Sequence, residues 1–116
     1  MHIQSLRAKH DKNSVIEANG LIFRSQRYFI GGAVVVGENI SYNFGKIEKI
    51  YLLDGIPFIF CEILGIETFD AHIHAFRVKR TGQFQLVKVR ELYDYHALGI
   101  YSLRGSFYIP LRHHIS

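Results

Sequence analysis

Apolar and polar residues alternate along much of this chain in short runs, and most runs end at a turn signal containing glycine. Period-two alternation bounded by such signals predicts strands joined as hairpins. Four signals stand out. Gly31-Gly32 separates residues 21–30 from 33–37, and Asp54-Gly55 follows the run ending at Leu53. Thr81-Gly82 and Arg104-Gly105 divide the later part of the chain in the same way. Asp-Gly is the strongest of these, because both residues tolerate the positive φ of a type I′ turn. Regular spacing of such signals predicts a meander that closes on itself.

Register follows from asking which pairing makes one face apolar. A two-residue turn at Asp54-Gly55 pairs Leu53 with Ile56, Tyr51 with Phe58 and Ile50 with Ile59. A three-residue loop of Arg80, Thr81 and Gly82 pairs Lys79 with Gln83 and Arg77 with Gln85 on one face. It then pairs Val78 with Phe84 and Phe76 with Leu86 on the other. Ile73, Ala75, Val87 and Val89 make the base of that hairpin apolar on its second face as well. A hairpin wet at the tip and buried on both sides at its base belongs to a barrel or sandwich. Around Arg104-Gly105, Tyr101 faces Tyr108 and Ile100 faces Ile109. Helix is scarce: residues 91–97 and 66–71 each offer a single turn. Residues 1–14 read as a flexible polar arm carrying Arg7, Lys9, His10, Asp11 and Lys12. Residues 15–116 read as one β-barrel domain.

Composition agrees with this picture. The chain has 116 residues, enough to bury one core without disulfides, and 48% are hydrophobic against 21% charged. Nine Phe and seven Tyr, with no Trp, favour strands. A single cysteine, Cys61, excludes an internal disulfide and fits a reducing compartment. The polar N-terminal stretch lacks the apolar core of a signal peptide. These features predict an intracellular location, nuclear or cytoplasmic. The longest apolar run, residues 56–64, contains Pro57 and Glu62 and is far short of a membrane-spanning helix, so no membrane partner is expected. The net charge of +4 permits nucleic-acid contact without demanding it. Met1 standing directly before a domain-sized fold implies an excised domain or a very short protein.

Catalytic chemistry has little to stand on. Cys61 lies in an apolar run between Phe60 and Glu62, which reads as core packing, whereas a reactive thiolate needs an exposed, electropositive setting. No serine sits in a nucleophile elbow, and Gly31-Gly32 precedes a strand where a phosphate loop would precede a helix. The acids are scattered, so no carboxylate pair can be located. Asp70, His72 and His74 alternate, and on a strand they would project to one side as candidate metal ligands. Cys61, Glu67 and His96 are the residues available to complete such a site, which needs four ligands if structural. The adjacent pair His113-His114 reads as solvated sequence.

Surface recognition is better supplied. Aromatic rings at the open end of a small barrel can cage a methylated ammonium or stack on a base. The candidates are Tyr28, Tyr42, Phe44, Tyr51, Tyr93 and Tyr95, set against the fact that most aromatics in so small a domain must be core. A basic strip of Arg77, Lys79, Arg80, Lys88, Arg90, Arg104 and Arg112 is a second candidate surface, for nucleic acid. Its plainer reading is a solvated face, or cations that block edge pairing.

From Asn43 onward the order of features carries a resemblance. Phe44-Gly45-Lys46-Ile47-Glu48-Lys49-Ile50 leads into a hairpin, followed by His74-Ala75-Phe76-Arg77-Val78. Then come Glu91-Leu92-Tyr93-Asp94-Tyr95-His96-Ala97-Leu98 and a closing Tyr108-Ile109-Pro110-Leu111-Arg112. This is similar to the C-terminal β-rich segment of animal transposon-encoded proteins and of host proteins derived from them. The opening strand also looks like the entry to SH3-like barrels of the Tudor and BAH (bromo-adjacent homology) type. The resemblance implies an accessory module acting near DNA or chromatin, with no acidic catalytic centre of its own. It carries over no binding residues.

Together these readings predict a small, partly open, SH3-like all-β barrel of consecutive hairpins. Its expected role is a non-catalytic interaction module with a protein partner and no cofactor. The alternatives are a nucleic-acid-binding accessory domain using the basic strip, and a small metal-dependent enzyme at His72 and His74.

Overall fold

Among the described residues the alternating runs are realised as ten strands. In chain order these are β1 (His2–Lys9), β2 (Val15–Phe23), β3 (Gln26–Phe29), β4 (Ala33–Val35) and β5 (Phe44–Leu53), then β6 (Ile56–Asp70), β7 (Ala75–Lys88), β8 (Asp94–Leu98), β9 (Tyr101–Leu103) and β10 (Ser106–Pro110). A 3-10 turn at Val89–Glu91 is the one helical element among the described residues. The computed structural model describes residues 2–9, 15–36, 44–92 and 94–110, with side chains over 15–36, 44–92 and 96–110. The candidates Tyr42, Tyr93 and Arg112 lie outside the described residues, and so does the side chain of Tyr95.

All described pairings are antiparallel, in the order β1-β2-β5-β6-β7-β10-β9, with β3 on β2 and β4 bridging β5 and β8. The result is the expected all-β, barrel-like fold, in the form of a curled, open half-barrel. Its length of 49 Å matches the span of the 15-residue β6 at about 3.3 Å per residue.

The expected register holds around Asp54-Gly55, where Leu53 opposes Ile56, Tyr51 opposes Phe58 and Ile50 opposes Ile59. Tyr101 opposes Tyr108 across the Arg104-Gly105 turn, while Ile100 lies one residue before that ladder. Elsewhere the chain departs from expectation. The stretch 21–30 contains a further turn at Arg24 (φ 53°) and Ser25 (φ 68°), which pairs β2 with β3. Part of the segment read as a polar arm is a strand, since β1 pairs with β2 from His2 opposite Ile22 to Lys9 opposite Ile16. Residues 66–70 belong to β6 and 94–98 to β8, so neither predicted helical turn forms there.

The largest correction concerns Thr81-Gly82. No hairpin turns there. β7 runs through it, pairing with β6 along its length, and the reversal is made instead by residues 71–74. Phe84 opposes Glu62 and Arg80 opposes Leu64, so Thr81, Gly82 and Gln83 bulge opposite Ile63 alone. The expected pairs of Val78 with Phe84 and Phe76 with Leu86 are therefore replaced by Val78 with Ile66 and Phe76 with Phe69. A glycine at φ 77° suits a bulge as well as a turn, which is why local sequence did not separate them. Ile73, expected in the base of that hairpin, sits in the 71–74 reversal and is exposed.

The core has two parts. One contains Leu21, Tyr28, Val34, Ile47, Ile50, Ile59, Cys61 and Val89; the other contains Ala33, Val35, Phe44, Leu64, Val78, Leu98 and Ile109. Val34 belongs to the first and its neighbours Ala33 and Val35 to the second, as strand alternation requires when a sheet is covered on both faces.

Candidate functional site

Beyond the second core, the same sheet face continues and grows more exposed toward β7 among the described residues. Residues directly opposed across antiparallel strands share a face, and three rows cross it. Lys46, Glu62 and Phe84 form the first, and Lys49, Phe60 and Leu86 the second. Glu17, Tyr51, Phe58 and Lys88 form the third. Phe60 and Phe84 stack with centroids 5.4 Å apart and planes 8° from parallel. Phe84 is 48% exposed and Leu86 47%, a large apolar exposure for adjacent rows of one strand.

The edge beside this face is also open. β10 pairs with β7 only from Ala75 to Val78. Beyond that point no described strand lies on the outer side of β7, so residues 79–88 present a free edge among the described residues.

At the junction of the open and covered parts, Glu62 is fully buried. Its carboxylate accepts the Nε–H of Arg80 at 2.9 Å and the backbone N–H of Gly82 at 2.9 Å. Thr81 donates its hydroxyl to the Ile63 carbonyl and accepts the Gln83 N–H at 3.1 Å. These bonds satisfy the polar groups that the bulge removes from the ladder, and they hold the start of the free edge in place. A cleft of about 300 Å³ is lined by Gly31, Lys46, Leu64, Val78, Lys79, Arg80, Ile100, Ser102 and Phe107.

Among the described residues the aromatic candidates do not come together: Tyr28 and Phe44 are buried in the two separate core clusters, and Tyr51 lies on the open face. An aromatic used as core cannot also offer its ring to a ligand.

The basic strip is divided. Arg77 turns to Glu67, with Nε to Oε1 at 3.0 Å, and the hydrogen bond it donates to Tyr108 together with that carboxylate raises its guanidinium pKa further. Arg80 is committed to Glu62, while Lys79 is exposed and packs its stem over Gly65 on the opposite face of the sheet. Lys88 ends β7 and Arg90 lies in the 3-10 turn beyond it; Lys88 is about 20 Å from Arg80, the span of β6 from Leu64 to Phe58 at 3.3 Å per residue. Arg104 occupies the tip of the β9–β10 turn at φ 53°.

His72 and His74 lie in the 71–74 reversal, not on a strand, so the alternation argument fails. The His72 N–H donates to Asp70 Oδ1 at 2.9 Å, and the His74 ring meets Phe69 edge-on with centroids 6.3 Å apart. The carboxylate of Asp70 shapes the turn. Of the other suggested ligands, Glu67 pairs with Arg77 and Cys61 is buried with its thiol pushed up to about 11, by desolvation first and then by the charge of Glu48. No group of three metal-binding side chains is formed among the described residues.

Phe58, Phe60, Phe84 and Leu86 were missed as surface residues because they alternate in the manner of core residues. Glu62 left a clearer trace, as the one charge inside the apolar run 56–64.

The molecule thus belongs to the class of small all-β, barrel-like proteins. No protein-family model, curated protein or solved structure matches the chain. No helix among the described residues is long and apolar enough to cross a membrane.

Proposed function

We propose that the protein is a non-catalytic, protein-binding module that takes up an extended segment as an added strand on the free edge of β7. The carrying observation is that, among the described residues, 79–88 are paired on one side only while Phe84 and Leu86 on that edge are about half exposed. An unpaired strand offers backbone donors and acceptors in register, and adjacent apolar side chains select the alternate residues of the incoming segment. Lys79 and Lys88 flank the edge, so a segment with apolar alternate residues and acidic flanks fits it best. The transposon-derived or chromatin-associated setting that we infer rests on the sequence resemblance.

The division of the basic residues weighs against nucleic acid as the main partner, since counterion release rewards many phosphate contacts along one continuous track. The Asp70–His72 bond in the 71–74 reversal weighs against a metal-dependent enzyme.

A displayed library of extended peptides, selected against the purified protein, tests the proposal. Selected peptides should protect the amides of residues 81–88 from hydrogen exchange and lose at least tenfold in affinity against Leu86→Lys. Peptides that protect other amides and bind that variant equally well would overturn it. So would a concentration-dependent dimer with the same amides protected, because the edge would then serve a second copy of this chain.

A further inference from the structure

Residues 84–88 form a regular ladder on β6, with Phe84 opposite Glu62, Leu86 opposite Phe60 and Lys88 opposite Phe58. Directly opposed residues share a face, so Phe84, Leu86 and Lys88 project from one face of the free edge. Gln85 and Val87 project from the other. The bulge at Thr81, Gly82 and Gln83 breaks this register, and Lys79 beyond it packs over Gly65 on the face opposite to Lys88. Lys88 is therefore the one charge in the regular stretch. It is half-buried, and among the described residues no carboxylate pairs with it. Glu17 lies in the same row but three strands away, and it holds Lys49 at 3.3 Å. Glu62, on the same face, is occupied by Arg80 and Gly82.

An incoming strand antiparallel to β7 continues the row that β10 leaves at Val78, and it keeps every described pairing of the sheet antiparallel. Antiparallel pairing sets residues directly across from one another, the arrangement in which a cross-strand charge pair acts. From its N-terminal end, such a strand opposes Lys88, Val87, Leu86, Gln85 and Phe84 in turn. We propose that this edge selects a segment whose side chains run acidic, apolar, apolar, polar, aromatic in that order. Lys88 is the specificity-determining residue, since the acid it holds fixes both the direction and the register of the guest. A slip by one residue would carry that acid to the other face, opposite Val87, and the apolar pair with it. The selection rests on strand addition at this edge. A lysine that only blocked the edge would disfavour every guest, whatever its order of charges.

Two capped peptides serve as probes, Glu-Ile-Val-Thr-Phe and Lys-Ile-Val-Thr-Phe, titrated into the ¹⁵N-labelled protein and its Lys88→Glu and Lys88→Met variants. The parent should bind the Glu peptide about tenfold more tightly, the swing from an opposite-charge to a like-charge cross-strand pair. Lys88→Glu should reverse that preference. Lys88→Met, which keeps an unbranched stem, should abolish it. Both variants alter a partly exposed side chain and should keep the dispersed spectrum of the parent. A nitroxide on the peptide N-terminus should broaden the amides of Lys88 and Val89 before those of Thr81 and Gly82. An unchanged preference in Lys88→Glu, broadening centred on residues 80–82, or no binding of either peptide would overturn the proposal. The two readings fail separately, because exchange protection of the 84–88 amides reports strand addition whatever the charge of the first residue. Protection without a charge preference removes the selection alone, and binding without protection removes strand addition as well.

Discussion

The carboxylate of Glu62, buried in β6, accepts the backbone N–H of Gly82 across the sheet at 2.9 Å. The same carboxylate holds Arg80 at 2.9 Å, so one side chain secures both ends of the 80–82 segment. Glu62→Ala leaves the Gly82 N–H without its partner and opens space in the sheet. It should cost about 1–3 kcal/mol in urea unfolding. Glu62→Gln keeps an oxygen for Gly82 and should cost less. Equal losses in the two variants would show that shape, and not hydrogen bonding, holds the bulge.

Gly45 makes room for Cys61. A Cβ built at Gly45 would stand 2.7 Å from the Cys61 Sγ and 3.1 Å from its Cβ. Gly45→Ala should therefore destabilise by about 1–3 kcal/mol through overpacking. Cys61→Ala removes the sulfur, so the double variant should recover part of that loss in a double-mutant cycle. Simple additivity would show that the clash is relieved elsewhere.

The Cys61 thiol should be silent toward Ellman's reagent in the native protein at pH 8 and react only on unfolding. Its native value of about 11 stands above the ordinary 9.0, so below pH 9 both states hold the thiol and stability is unaffected. As pH rises from 9 through 11 the unfolded chain ionises first, and stability falls by about 2–3 kcal/mol. Denaturation midpoints of the parent and Cys61→Ala, compared over this window, isolate the contribution. Parallel profiles would refute it.

Phe84→Lys and Leu86→Lys alter side chains that are about half exposed. Each should change unfolding free energy by less than about 1 kcal/mol while raising the solubility limit, because a charge on an open edge opposes edge-to-edge pairing. Light scattering at increasing concentration and a urea titration check the two halves. A large loss of stability would place these residues in the core.

Much of the fold was legible where a signal was local. Asp54-Gly55 has few alternatives as a two-residue turn, and once it is placed, the pairing of β5 with β6 follows by counting. The Arg104-Gly105 turn yielded Tyr101 opposite Tyr108 in the same way. Arg24-Ser25 lay hidden because neither residue advertises a positive φ. The 71–74 reversal lay hidden for a similar reason, built as it is on an Asp70 side chain and a left-handed His74. Gly82 misled because a glycine reports a permitted conformation and not the element that uses it.

The candidate sites were less legible still. Phe44 and Tyr28 read as surface aromatics and are core, while Phe84 and Leu86 read as the apolar face of a hairpin and are exposed. Nothing in residue type or spacing separates these cases.

By itself, then, the sequence determined the strand class, the two glycine hairpins and the absence of a recognisable catalytic motif, because alternation and turn chemistry act within a few residues. Only the tertiary structure decided that the pairing of β10 with β7 ends at Val78, that Glu62 is spent on the bulge, and that the outer edge of β7 beyond it is open among the described residues. Those outcomes depend on which distant strands compete for the same edge and how far each one reaches, and no local pattern encodes that competition.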